Sequence, residues 1–147
     1  MDKILDQNKF PQRKNIRLKD YCYNSDGYYF VTICTADKKP LISQYKEAVE
    51  KILRNLPLRF SGVGLDWYVL MGDHMHFILT FENVQTHLGE IIRTFKALVK
   101  KETKEKEFWQ RNYYEHVIRN ERALDKIREY IQNNPMVERI GFEEFYK

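Results

Sequence analysis

The chain is poor in cysteine, has no long apolar run and contains no internal repeat. Its two cysteines, Cys22 and Cys34, do not form a CxxC pair, so neither a zinc cluster nor a disulfide framework is predicted. No apolar stretch approaches the ~20 residues of a membrane-spanning helix. Because the first residues also lack the apolar stretch of a secretory signal, we expect a cytoplasmic protein.

The length of 147 residues suits one domain with a buried core. Residues 1–20 are polar and show no clear apolar period, which predicts a basic N-terminal arm rather than a packed element. We expect the single domain to occupy residues 21–147.

The net charge of +4 is mild, and alone it favours a polyanionic partner only slightly. Its distribution is more informative, because basic residues concentrate in the arm and on one predicted helix. The candidates for nucleic-acid contact are Arg13, Lys14, Arg17, Lys19, Arg93, Lys96 and Lys100. Ten tyrosines and two tryptophans offer surfaces on which unpaired bases stack. Ordinary solvated faces and core aromatics are the alternative interpretation.

Runs of β-branched and aromatic residues predict the strands. The predicted strands are Tyr28–Thr35, Val63–Met71, His74–Phe81 and Trp109–Ile118. Gly72 and Asp73 form a short turn signal between the second and third, which favours an antiparallel hairpin.

Apolar residues at helical spacing predict three helices. The first runs from a possible Ser43 cap to Pro57, and the second starts near Leu88 and runs out into a charged stretch at 100–107. The third covers residues 121–133 after the cap Asn120 and has to end near Pro135.

The order strand, helix, strand, strand, helix, strand predicts an α+β fold of the ferredoxin-like (RRM-like) βαββαβ type with an antiparallel sheet. In this fold we expect the two crossover helices to cover one face of the sheet. The appended C-terminal helix, which carries Tyr130, is the natural cover for the other face.

A pair of histidines opens the third strand. Successive side chains of a strand point to opposite faces, so His74 and His76 share one face while Met75, Phe77 and Leu79 form the apolar one. Two imidazoles on one face can share a metal ion. Taken alone, such a pair is more often simply half-buried or exposed.

Four residues of the third helix form one stripe: Ala123, Ile127, Tyr130 and Asn134. If this helix covers the histidine face, a phenol and an amide oxygen approach the two imidazoles. Two histidines and an amide oxygen leave coordination positions open for a substrate oxygen, and this mixed set accepts manganese, magnesium, cobalt or zinc. A helical tyrosine that only packs is the alternative.

Other tyrosines and histidines are weaker candidates. Tyr113 and Tyr114 lie in a predicted strand with no ligand-type residue four positions on. His87 lies in a loop or at a helix start, and His116 beside Glu115 suggests a local pair. We leave all of them out of the site.

Several ordered blocks resemble one family. Asp73–Phe77, DHMHF, resembles the histidine, hydrophobic residue, histidine (HUH) motif of the single-tyrosine HUH transposases, and Tyr130–Pro135, YIQNNP, resembles the tyrosine helix of the REP-associated tyrosine transposases. Residues 16–21, 27–35 and 108–120 are also similar to that group, so the resemblance covers roughly residues 13–137. This chain departs from the family pattern at two places. Gly72-Asp73 stands where related transposases often have Pro-Asn, and Asn134 stands where insertion-sequence relatives commonly have glutamine.

The resemblance implies a nuclease and strand transferase that acts on single-stranded DNA folded into palindromic, REP-like hairpins. By position, His74, His76 and Asn134 bind a divalent metal, magnesium or manganese, and Tyr130 attacks the scissile phosphate. The product would be a 5′-phosphotyrosine with a free 3′-hydroxyl. The resemblance also favours a monomer over a homodimer.

Two rival functions stay open. The same topology presents aromatic residues to RNA in RRM proteins, so a non-catalytic nucleic-acid-binding module is one alternative, although an RNP1-like run is missing. A transposase relative that binds its hairpin without cleaving it is the other.

Overall fold

The computed structural model describes residues 23, 25–137 and 140–147. The predicted basic arm, with Arg13, Lys14, Arg17 and Lys19, therefore lies outside the described residues, as does Cys22. Cys34 is a buried thiol.

Four antiparallel strands form one sheet in the order β2-β3-β1-β4. The strands are β1 (Gly27–Cys34), β2 (Val63–Leu70), β3 (His74–Phe81) and β4 (Tyr114–Ile118). A β-bulge between Leu65 and Trp67 interrupts the pairing of β2 with β3. Because β3 and β1 occupy the centre, the predicted ferredoxin-like arrangement is confirmed.

The prediction of a strand over Trp109–Ile118 is wrong in its first half. Trp109 makes only an isolated bridge to Thr35, and β4 begins at Tyr114. The reason is a side chain: the ammonium group of Lys96 donates to the carbonyls of Gln110, Arg111 and Asn112 at 2.9, 3.4 and 3.3 Å. A lysine therefore binds the carbonyls that the predicted strand would have offered to a neighbouring strand.

The helices surround this sheet on both faces. They are α1 (Leu41–Gln44), α2 (Lys46–Arg54), α3 (Leu56–Arg59), α4 (Leu88–Thr103) and α5 (Glu121–Asn133), with 3₁₀ helices at Ala36–Lys38 and Phe142–Tyr146. Among the described residues, no helix combines the length and the apolarity needed to cross a bilayer.

The prediction of a single first helix from Ser43 to Pro57 is wrong, because the structure divides this stretch into α1, α2 and α3. Ser43 lies inside α1 and donates to the carbonyl of Pro40 instead of capping a helix. Pro57 lies in the first turn of α3, where its missing N–H costs no helical hydrogen bond.

The first face of the sheet is the apolar one predicted from strand alternation. Met75, Phe77 and Leu79 are fully buried there. The helices between the strands cover them, with Leu53 of α2 and Phe95 of α4 in the same core cluster. This burial supplies the main hydrophobic core of the domain.

The second face is covered by α5, as predicted. The Asn120 side chain accepts from the N–H of Ala123 at 2.8 Å, which confirms the predicted cap. The helix packs against the sheet through an apolar cluster that includes Phe30, Ile78, Ile118, Ala123, Leu124, Ile127 and Ile131. An ion pair adds to this packing, since the Arg128 guanidinium donates to both oxygens of Asp66 at 2.6 and 3.0 Å.

The C-terminal segment, residues 140–147, completes the cover of the second face. The sequence did not indicate this role. His116 of β4 stacks on Phe142 with ring centroids 3.9 Å apart, and its Nε2 lies 2.6 Å from the Tyr146 hydroxyl. The Arg119 guanidinium lies 3.7 Å above the Tyr146 ring. His116 is therefore held by partners in the C-terminal segment, and its suggested pairing with Glu115 stays a prediction.

We expect the Asp66–Arg128 pair to stabilise the docking of α5. Asp66→Asn should lower the free energy of unfolding by about 1–2 kcal/mol, because it removes a charged, half-buried hydrogen-bond acceptor. Asp125→Asn is the matched control: Asp125 binds the same arginine at 2.8 Å but is 75% exposed, so the change should stay within about 0.5 kcal/mol. Urea denaturation measures both, and equal losses would contradict the prediction.

We expect His116 to make the fold less stable in acid. Burial, and after it the positive charge of Arg119, lowers the pKa of His116 from 6.5 to about 3. Between these two values the unfolded chain binds a proton that the folded chain does not bind, so stability falls as the pH falls, by at most about 1.4 kcal/mol per pH unit. In His116→Phe, the unfolding free energy should decline less steeply from pH 6.5 to 3 than in the wild type. Parallel curves would refute this assignment.

Candidate metal and tyrosine site

The two histidines of β3 meet on the second face of the sheet. Both are buried, with 1% of His74 and none of His76 exposed. Their ring centroids are 5.0 Å apart at an interplanar angle of 69°. β3 is paired on both sides, and the hairpin is closed by a hydrogen bond from the N–H of Met71 to the carbonyl of His74. Strand alternation and central placement therefore fix the imidazole pair.

His76 is held from two sides. Thr32 of β1 lies opposite His76 in the sheet, and its hydroxyl is 2.8 Å from His76 Nδ1. On the other side of the ring, the carbonyl of Val137 accepts a hydrogen bond from His76 Nε2 at 2.6 Å. Burial, and then the neighbouring His74, lowers the pKa of His76 from 6.5 to about 3, although the Val137 hydrogen bond acts in the opposite direction. The imidazole is therefore neutral near pH 7, which is the form that ligates a metal.

His74 is oriented by the residue before it. Its Nδ1 donates to the Asp73 carboxylate at 2.9 Å, and its Nε2 lies 3.4 Å from the carbonyl oxygen of Pro135. A carboxylate on one nitrogen of a histidine is the usual way to aim the other nitrogen at a metal.

The orienting roles of Asp73 and Thr32 were not predicted from the sequence. The signal for Asp73 was present, because a carboxylate directly precedes the histidine motif. Thr32 required the register of β1 against β3, since Thr32 lies opposite His76.

The Nε2 atoms of both histidines face one short segment, residues 135–137, directly after α5. A metal ion held by these nitrogens would take the place of their contacts with the two carbonyls. The donor set fits a divalent ion, since it consists of two buried imidazoles that are oriented by neighbouring groups. In the described part of the chain, no cluster of three or more His, Cys, Asp or Glu is arranged to hold a metal.

Tyr130 lies on the same side of the sheet, near the C-terminal end of α5. Within the predicted stripe, Ala123 and Ile127 are buried, whereas 37% of Tyr130 is exposed. Its ring packs edge-on against Phe145, with centroids 5.5 Å apart. Tyr130 therefore sits at the border of the covered face, five positions before the segment that contacts the histidines.

Asn134 ends the helix. Its φ and ψ of −137° and 55° are not helical, as expected for the residue before Pro135, and its side-chain amide donates to the carbonyl of Tyr130 at 2.9 Å. The predicted contact between positions 130 and 134 is thus present, but it involves the Tyr130 backbone. In this conformation Asn134 caps α5, and its role as a metal ligand stays a prediction.

The predicted nucleic-acid contacts of the described region lie on α4, across the sheet from the histidines. Arg93 forms an ion pair with Glu90, and Lys96 holds the carbonyls of residues 110–112. Lys100 lines a cavity of about 380 Å³ beside this helix. The same cavity is lined by Lys106, Trp109 and Arg111, for which the sequence predicted no role.

His87 is the N-cap residue of α4, so its predicted position at a helix start is confirmed. Tyr114 lies in β4, and Tyr113 precedes it.

Comparisons with known proteins agree with this architecture. A family profile described as "Transposase IS200 like" matches residues 22–134. An uncharacterized protein of Haemophilus influenzae is 35% identical over 160 residues, covering 85% of this chain and 89% of that protein. The REP-associated tyrosine transposase of Escherichia coli (strain K12) is 26% identical over 119 residues, covering 78% and 69%.

A solved structure of a REP-associated tyrosine transposase bound to a REP hairpin has the same fold. The TM-score is 0.71 at 22% sequence identity, covering 81% of this chain and 72% of the other. The family profile spans most of the chain. The four strands of this chain, its histidine pair and the helix that bears Tyr130 all lie within residues 22–134. The chain therefore belongs to the IS200-like transposase family.

Proposed function

We propose that this protein is a metal-dependent endonuclease and strand transferase for single-stranded hairpin DNA, acting through a 5′-phosphotyrosine. Family membership supports DNA cleavage and strand transfer in general. The observation that carries the finer proposal is the buried imidazole pair beneath the helix that bears Tyr130.

In this proposal, His74 and His76 hold a divalent ion, magnesium or manganese, through their Nε2 atoms. Such an ion, when bound, polarises the scissile phosphodiester. Ligation through Nε2 requires the proton of His76 to move to Nδ1. The Thr32 hydroxyl accommodates this change, because a hydroxyl both donates and accepts. Asn134 completes the proposed ligand set once the hydrogen bond from its side-chain amide to the Tyr130 carbonyl is broken.

Tyr130 is the proposed nucleophile. Its oxygen forms a bond to the scissile phosphorus while the bond from phosphorus to the 3′-oxygen breaks, and the phenolic proton passes, in net terms, to that leaving oxygen. The phosphodiester energy is retained in the tyrosine ester, so a 3′-hydroxyl reverses the step and joins strands without ATP. The partial exposure of Tyr130 supports this role, because a DNA strand can reach the ring.

The proposed substrate is a hairpin of the REP type. One neighbouring structure is described as a REP-associated tyrosine transposase bound to a REP hairpin, and we extend that substrate class to this chain. Arg93, Lys96 and Lys100, with the arm residues Arg13, Lys14, Arg17 and Lys19, are the proposed phosphate contacts. We propose that the protein acts as a monomer in the cytoplasm.

One observation favours the second candidate, a relative that binds hairpins without cleaving them. Backbone carbonyls lie against both Nε2 atoms, and the Tyr130 ring packs on Phe145. If this arrangement persists on DNA, the protein binds its hairpin but forms no covalent adduct.

Tyr130→Phe tests the nucleophile. With a single-stranded hairpin and Mn²⁺, the wild type should give an adduct that survives denaturing electrophoresis, and Tyr130→Phe should give none because the attacking oxygen is missing. Tyr114→Phe serves as control and should form the adduct. Equal adduct from Tyr130→Phe and wild type would defeat the assignment, and no adduct from the wild type would favour the binding-only candidate.

Asp73→Asn tests the metal site without depending on catalysis. Loss of the carboxylate that orients His74 should weaken Mn²⁺ binding to the protein alone by about tenfold or more, as measured by calorimetry. His76→Ala should abolish the binding, with circular dichroism to confirm folding. His87→Ala is the matched control, because this exposed histidine lies at the start of α4 and its side chain makes no cap hydrogen bond. Unchanged affinity in both Asp73→Asn and His76→Ala would place the metal elsewhere.

A further inference from the structure

A cavity of about 380 Å³ lies between α4 and residues 106–113, away from the histidine pair. Its lining includes cationic, aromatic and small apolar side chains, and no Asp or Glu of the described residues contributes to it. Its volume falls within the range of small-molecule sites in proteins. A concave, carboxylate-free and strongly basic surface suits an anionic ligand.

Three of the cationic side chains that line this cavity form no ion pair with a described residue. Among the described residues, the side chains of Lys100, Lys106 and Arg111 form no ion pair or hydrogen bond, and all three residues are exposed. Arg93, at the same rim, contacts Glu90. Clustered cations raise the local concentration of phosphates.

Trp109 forms the aromatic wall of the cavity, and contacts within the protein hold it in place before any ligand binds. The indole N–H of Trp109 donates to the carbonyl of Lys96 at 3.3 Å, and the indole packs on Phe108 and Phe95 at centroid distances of 4.4 and 5.7 Å. Lys96 also ties the following residues to α4. A wall that is already ordered loses little entropy when a planar ligand stacks on it.

The cavity and the histidine pair lie at the same end of the sheet, on opposite faces. The N–H of Gln110, in the cavity wall, donates to the carbonyl of Cys34 at 2.9 Å. The next residue, Thr35, donates to the carbonyl of Asp73 at 2.9 Å. One hydrogen-bonded layer thus connects the cavity wall to the start of the histidine strand.

We propose that this cavity binds one unpaired nucleotide of the DNA, with its base against Trp109 and its phosphate on Lys106 and Arg111. The proposal rests on the proposed function and adds a recognition site that is separate from the cleavage chemistry. The strand leaving this nucleotide passes the end of the sheet to reach His74 on the other face. The cavity therefore reads the single-stranded part of the substrate, and the paired stem binds elsewhere.

Filling the cavity tests the proposal. Ala97 is an exposed wall residue of α4, so Ala97→Phe should occupy the space without changing charge, and Ala97→Ser is the matched control. Fluorescence anisotropy would measure binding of a hairpin with a short unpaired extension, the same hairpin with a blunt end, and the extended hairpin with abasic sites.

We expect Ala97→Phe to weaken binding of the extended hairpin by at least about fivefold, as for the loss of one base stack. Its affinity for the blunt hairpin and the affinities of Ala97→Ser should not change. For the wild type, abasic sites should reduce binding by the same factor. Equal effects of Ala97→Phe on extended and blunt hairpins, or no effect, would overturn the proposal.

A charge test works even if the filled variant fails to fold. Lys106→Ala combined with Arg111→Ala should lower affinity for the extended hairpin more than for the blunt one. Lys51→Ala, an exposed cation of α2 outside the cavity, should affect neither. Equal losses for both hairpins would count against the cavity. A protein that binds in this pattern but forms no Tyr130 adduct would lack the proposed cleavage activity and still use the cavity.

Discussion

The burial of two imidazoles on one face of the sheet is the constraint on which the rest of this structure depends. A buried polar group that lacks hydrogen bonds is costly, so each nitrogen requires a neighbour. The structure meets this requirement with a hydroxyl from β1, a carboxylate from the hairpin turn and two carbonyls from the segment after α5. The pairing register, the turn and the path of the chain after the helix are therefore linked through two side chains.

The end of α5 is the point where these constraints meet. Asn134 leaves the helical conformation, and the next residues turn toward the sheet so that their carbonyls contact the histidines. Tyr130 lies one turn before this point and packs on Phe145 of the C-terminal 3₁₀ helix. The position of the phenol, the path of residues 135–137 and the accessibility of the imidazole nitrogens are thus coupled, and a change in one affects the others.

Local patterns predicted the parts of the fold that local physics determines. The alternation around Met75 and Phe77 gave the buried face, Asn120 gave the start of α5, and Pro135 gave its end. The predicted long first helix failed because Pro57 is compatible with the start of a helix as well as with its termination. Propensity alone does not distinguish these two uses of proline.

The remaining differences arise from contacts between residues far apart in the chain. No local pattern shows that Lys96 binds three carbonyls of residues 110–112, or that His116 stacks on Phe142. The same holds for the site: the spacing of His74 and His76 predicts that they share a face, whereas the support from Thr32 depends on strand register. The cavity beside α4 likewise requires Lys100 and Trp109 to converge from separate segments.

The sheet separates the histidine pair from the basic helix, and this separation has a consequence for how the protein can diversify. Among the described residues, none of the side chains that line the cavity beside α4 hydrogen-bonds to His74 or His76. Under the proposed function, preference for a new nucleic-acid sequence can therefore be acquired without changing the histidine pair. In the described part of the chain, one short route between the two is the layer of main-chain hydrogen bonds at the end of β1, so coevolving positions should be sought there.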